Sequence, residues 1–139
     1  MLCTILGIDE KVLSSQIQSL SVWTDDGQVT IMDHHEPCLM LLVSGELVVQ
    51  FYEKSEPLRR FIGGGFLEVR QEEVIVLADA AENLDQWTAT EAEAAKQRAE
   101  QAVTEAVSEE SLVYAKAQLA KSLARLKVVH RKSKSTSYR

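Results

Sequence analysis

The chain has 139 residues, 45% hydrophobic and 26% charged, with 15 basic against 21 acidic side chains and a formal net charge of −6. That length suits one compact domain or two small ones. No run of about 18 uncharged apolar residues occurs, the start lacks a basic stretch before a long apolar core, and the total is acidic, so the sequence predicts no membrane span, no secretory signal and no general nucleic-acid binding.

The charge is unevenly spread. Residues 1–85 carry a net −10, residues 86–126 a net −1 and residues 127–139 a net +5. All six glycines and both prolines precede residue 66, and alanine dominates from Ala89 to Ala124. Such a shift marks two structural units with a boundary near Glu82 to Thr88.

In chain order, short β-branched and aliphatic runs predict strands over Cys3 to Ile8, Gln16 to Trp23, Gln28 to Met32, Leu39 to Val43, Glu46 to Tyr52, Arg59 to Ile62, Phe66 to Arg70 and Val74 to Leu77. The turns between them are Asp9-Glu10-Lys11, Asp25-Asp26-Gly27, Ser44-Gly45, Glu53 to Pro57 and Gln71-Glu72-Glu73. Ile17, Leu20 and Val22 alternate with Gln16, Gln18 and Ser21, and Leu67 and Val69 alternate with Phe66, Glu68 and Arg70. Eight or more short strands of this kind bury both faces only as a sandwich or barrel. The second unit reads as two helices. Thr88 and Glu91 have the spacing of a capping box, and Ala92, Ala95, Ala99, Ala102, Val103 and Ala106 then share one stripe. Ser108 before Glu109-Glu110 supplies the next N-cap, followed by Leu112, Leu119, Leu123 and Leu126 with Ala115, Ala120 and Ala124 beside them. A small-residue stripe facing a leucine stripe makes a helical hairpin, one that buries little area alone and leans on the sandwich or on another protein.

The chemistry-bearing residues are sparse. Cys3 and Cys38 make no disulfide framework and read as reduced thiols of a cytosolic protein. His34-His35 is the most enzyme-like pair, yet no acid or cysteine cluster accompanies it at a metal-ligand spacing, and it reads as loop or interface. Gly63-Gly64-Gly65 is followed by strand rather than helix, which excludes a phosphate loop and predicts a bulge or a close backbone approach. The basic end His130-Arg131-Lys132-Ser133-Lys134 calls for an anionic partner.

Read together, these features resemble the epsilon subunit of F-type ATP synthases over about residues 4 to 132. The resemblance rests on Gly27 to Pro37, similar to the family's Gly-x-x-Gly-Ile-x-Pro-x-His-x-Pro segment, on Gly64 to Val69 followed by Val74 to Glu82, and on Ala94 to Glu100 and Ala117 to Val129. It implies a ten-stranded β-sandwich over 1–84, a two-helix regulatory domain over 85–132 and a basic, disordered tail over 133–139. It also implies a non-catalytic stalk subunit at the cytoplasmic face of the membrane, without a cofactor, that joins the proton-driven c-ring to the gamma subunit. By position His35 and Pro37 match the family's His-x-Pro, in a loop facing gamma and the ring, and Gln28 stands where many members have an acid toward the c-ring. Thr30 and Asp33 depart from the pattern's glycine and proline. In the family an extended hairpin reaches the catalytic head and inhibits ATP hydrolysis, for which Lys121, Arg125, Lys127, Arg131, Lys132 and Lys134 are the contacts toward an acidic segment of beta. Members that bind ATP carry Ile/Leu-Asp-x-x-Arg-Ala; here Thr88 and Glu91 replace its Asp and Arg, which removes the phosphate-facing charge. The alternative, from another class, is a free-standing β-sandwich binding module whose hairpin dimerises.

Overall fold

The computed structural model describes residues 1–8, 11–83 and 88–136. The Asp9-Glu10 part of the first expected turn and the Leu84–Trp87 boundary segment lie outside these residues. The chain divides into two compact units, Met1–Asn83 and Leu84–Arg139.

The first unit contains β1 (Leu2–Leu6), β2 (Lys11–Gln16), β3 (Ser19–Thr24), β4 (Gly27–Met32), β5 (Cys38–Leu42), β6 (Gly45–Gln50), β7 (Leu58–Ile62), β8 (Gly65–Val69), β9 (Glu73–Ala78) and β10 (Ala81–Asn83). They form two five-stranded sheets, in the orders β2-β1-β9-β8-β5 and β10-β7-β6-β3-β4. All pairings are antiparallel except β1 with β9. Within the strands the expected alternation is present: Leu20, Val22 and Leu67 are fully buried and Val69 nearly so, while Phe66 and Arg70 face outward; Ile17, also fully buried, lies outside any strand. With Cys3, Ile5, Ile31, Leu47, Val49, Val74 and Val76 they make one core between the sheets. Each fully buried aliphatic side chain contributes roughly 1.5–3 kcal/mol there.

Two strands differ from the sequence expectation. The run expected as one strand over 16–23 is a corner instead: β2 lies in the first sheet and β3 in the second, with Ile17 and Gln18 crossing between them. The Ile17 N–H donates to the Met1 carbonyl at 3.0 Å and that of Gln18 to Gln50 at 2.8 Å, so the crossing loses no backbone pairing. β2 escaped notice because the β1–β2 register slips between Ile5 and Leu6. The slip leaves the adjacent Val12 and Leu13 both half-buried against the core, which erases the period of two. β10 is only three residues long and follows β9 after two residues, too short to carry a pattern of its own.

The second unit consists of α1 (Ala89–Glu105) and α2 (Glu109–Thr136), packed on each other as a hairpin. The capping box is formed: Glu91 N–H donates to Thr88 Oγ1 at 3.2 Å and Thr88 N–H to Glu91 Oε2 at 2.9 Å. Ser108 caps α2 in the same way with Ser111 as the reciprocal partner, each backbone N–H donating to the other's hydroxyl at 3.1 Å. Ala92, Ala99 and Ala115 are buried, Leu112, Leu119 and Leu126 half-buried. Leu123, expected on the inward stripe, is exposed, and Val128 and Val129 are buried beyond it. At 1.5 Å per residue α2 spans about 42 Å against about 26 Å for α1. The helix also continues to Thr136, past residue 133 where the sequence places the tail.

Candidate functional site

The outer face of the β5-β8-β9 side carries large apolar groups in register. Leu41 pairs with Phe66 and Phe66 with Leu77, and they are 59%, 50% and 50% exposed; Leu39, two residues along β5, is 71% exposed. Within this face Glu68, opposite Leu39, accepts from Arg70 Nε and Nη2 at 2.9 and 3.1 Å. Single exposed leucines are ordinary on a soluble surface, but a contiguous apolar row across three strands is the kind of patch that marks contact surfaces. Sequence reasoning read only the strands here and did not single out the row. The signal was present in the outward positions, where Leu39, Leu41, Phe66 and Leu77 stand in place of polar residues.

At the start of β8 the backbone comes unusually close to its neighbour. A Cβ on Gly65 would lie 1.9 Å from the Leu77 carbonyl oxygen and 3.0 Å from Ala78 Cα. Gly64 and Gly65 have φ of +125° and +139°, which L side chains rarely adopt. The glycine run is thus the close backbone approach that the sequence predicts.

The candidate residues from the sequence separate along β4. Gln28 is exposed at the first end, opposite Trp23, whose ring lies over Gly45. His35 and Pro37 lie in the β4–β5 loop beyond the other end, which at a strand rise near 3.3 Å per residue is about 13 Å from Gln28. His35 Nδ1 is 2.9 Å from the Glu36 carbonyl oxygen. A carbonyl only accepts, so Nδ1 carries the proton in this contact. Nδ1 also lies 4.0 Å from Cys38 Sγ. His34 is exposed with φ +65°, and Pro37 is exposed. Asp33 accepts from the Met1 amino group at 2.5 Å and from the Tyr52 hydroxyl. These two donors hold its carboxyl below the usual range, and Asp33 in turn raises the Tyr52 hydroxyl.

Among the described residues no group of three His, Cys, Asp or Glu side chains is placed to hold a metal. Burial pushes the Cys3 thiol up to about 12, so it stays protonated and inert. Glu46, buried on β6, is paired with Arg59 of β7 at 2.8 Å, an ion pair inside the sheet rather than a site.

On α2 the expected basic residues fall on two stripes. At about 100° per residue, Lys121 and Arg125 share a face with register position 132, while Lys127 and Arg131 share another with position 134. Lys121 and Arg125 are half-buried; Lys127 and Arg131 are exposed. At the other end of the hairpin, the Thr88 backbone N–H, and then its hydroxyl, hold the Glu91 carboxyl below the usual range. Both residues are engaged in the cap.

Comparison with known proteins agrees with this architecture. Residues 1–84 match the family model for the ATP synthase delta/epsilon chain β-sandwich domain, and residues 89–130 match that for its long α-helix domain. An ATP synthase epsilon chain of Herpetosiphon aurantiacus is 36% identical over 124 residues, covering 89% of this chain and 90% of the relative. One of Nitrosococcus oceani is 34% identical over 127 residues, covering 91% and 90%. Among solved structures, a chain of the Euglena gracilis mitochondrial ATP synthase (OSCP, F1 and c-ring) matches with a TM-score of 0.76 at 19% identity, covering 94% of this chain and 79% of that one. A chain in the central stalk and c-ring of the Tetrahymena thermophila enzyme matches with a TM-score of 0.68 at 13% identity, covering 92% and 95%. Two helices after a ten-stranded sandwich, matched by the two domain models over residues 1–84 and 89–130 and by relatives over about nine-tenths of its length, place this chain in the ATP synthase delta/epsilon chain family.

Proposed function

We propose that this chain is the epsilon subunit of the central stalk of an F-type ATP synthase, a non-catalytic coupling piece between gamma and the c-ring at the cytoplasmic face of the membrane. The observation that carries the reading is the apolar row Leu41, Phe66 and Leu77, a surface made for a protein contact on a domain whose family works in an assembly. No described helix is long and apolar enough to cross a membrane, so attachment there runs through other subunits. The apolar face of the first sheet and the Gln28 and His35–Pro37 ends of β4 in the second sheet serve gamma and the ring. The decisive experiment is co-purification of the full chain with its gamma subunit: a stable one-to-one complex is expected, and its absence would overturn the assignment.

The cap at α1 bears on nucleotide binding. Glu91 presents a carboxylate where ATP-binding members have an arginine, and its Oε2 accepts from both the Thr88 backbone N–H and the Thr88 hydroxyl. Calorimetric titration with Mg-ATP is expected to give no heat at micromolar concentrations; a micromolar Kd would show that the pocket survives.

The helical unit acts as an inhibitory arm toward the catalytic head, with Lys127 and Arg131 on its exposed basic stripe. Removing residues 127–139 from a reconstituted complex is expected to raise ATP hydrolysis and to weaken its salt dependence. Unchanged rate and salt dependence would remove this role.

A further inference from the structure

We propose that Asp33 positions the histidine loop for its partner: by accepting the Tyr52 hydroxyl it fastens the Met32–His35 turn to the loop after β6, and so fixes the direction in which His35 and Pro37 are presented. The inference deepens the coupling function proposed above and rests on it.

The turn itself needs such a fastening. His35 N–H donates to the Met32 carbonyl at 3.2 Å. His34 takes φ +65° and Asp33 a negative φ, the combination of a type II turn. Proline at the first central position and glycine at the second would set that geometry from within, by a fixed φ and by freedom at positive φ. Aspartate and histidine do neither, and a histidine in the left-handed region pulls the turn toward other conformations. An external tie adds to the turn's own Met32–His35 hydrogen bond.

The group on the far side of the tie is anchored. Gln50 Nε2 donates to the carbonyls of Phe51 and Lys54 at 3.3 and 2.9 Å, and Lys54 Nζ sits 4.6 Å from the centroid of the Phe51 ring. Tyr52 stands inside that stitched segment, 19 residues from Asp33 in sequence. The Met1 amino group meets the other Asp33 oxygen and His34 is the neighbouring titratable group. The contact is exposed, so it adds little to global stability. What it restricts is one loop, through an acceptor whose charge strengthens the bond.

The test uses the full-length chain and two readouts, amide hydrogen exchange over residues 33–36 and affinity for gamma. Tyr52→Phe and Asp33→Ala are each expected to speed loop exchange about tenfold and weaken gamma binding about three- to tenfold, with Tm unchanged. In an Asp33→Pro/His34→Gly background, where the turn is set from within, Tyr52→Phe is expected to change neither readout. Wild-type exchange and affinity in Tyr52→Phe would overturn the proposal, as would an equal loss in the Asp33→Pro/His34→Gly background. A wild-type chain that binds no gamma overturns the coupling function instead, and the exchange comparison still decides the tie.

Discussion

Gly65→Ala is expected to destabilise the sandwich by about 4 kcal/mol or more, a large part of the roughly 5–15 kcal/mol that holds a domain of this size together. The added Cβ would sit 1.9 Å from the Leu77 carbonyl oxygen, well inside contact distance, and the obstructing group is backbone that no side-chain rotation can clear. Gly65 pairs with Ala78 of β9, the strand that carries the obstructing carbonyl, so relief requires opening β8 from β9 inside the first sheet. Its φ of +139° adds a second cost. Gly27→Ala supplies the control, since Gly27 has φ +123° but nothing within 4 Å of the added atom. Only the conformational cost remains there, about 1–3 kcal/mol. In urea denaturation followed by circular dichroism, Gly65→Ala should lose most of its cooperative transition while Gly27→Ala keeps it; equal, small effects would refute the argument.

Charge placed in the apolar row is expected to have the largest effect on assembly. Leu41→Asp or Phe66→Asp puts a carboxylate on a surface that must lose water when a partner covers it, and an unpaired charge buried in an interface is among the most costly changes available. Both side chains are at least half exposed in the free chain. The variants should therefore fold with nearly unchanged Tm yet bind gamma about 30-fold more weakly or worse, equivalent to about 2 kcal/mol or more. Tyr114→Asp, on α2 and 68% exposed, serves as the matched control outside the sandwich and should bind as wild type. Wild-type affinity in both sandwich variants would move the gamma contact off this face.

The architecture was legible in the sequence where a local rule was sufficient. Leu20 and Val22, and Leu67 and Val69, alternate because each strand must hide one face, and they are buried as the pattern requires. Thr88 and Glu91 form their capping box, and Ser108 caps α2, because a cap depends on residues within one turn. The glycine run announced a close approach because no residue with a Cβ fits there. Likewise the split between the acidic first unit and the basic end was plain from counting.

What sequence could not supply were the features that depend on residues far apart in the chain. The corner at Ile17 exists because Gln18 finds Gln50 in the second sheet, and the slip at Val12–Leu13 because β1 lies alongside. The apolar row is made of β5, β8 and β9, which meet only through sheet pairing. The Asp33–Tyr52 tie joins two loops, and the separation of Gln28 from His35 comes from the straightness of β4. By itself the sequence determined the two units, the type of each and the division of charge between them, because periodicity, caps and composition act over a few residues. Tertiary structure alone decided which outward side chains share a face and which loops are tied, because those depend on register between strands distant in sequence, where a shift of one residue would turn every side chain to the opposite side.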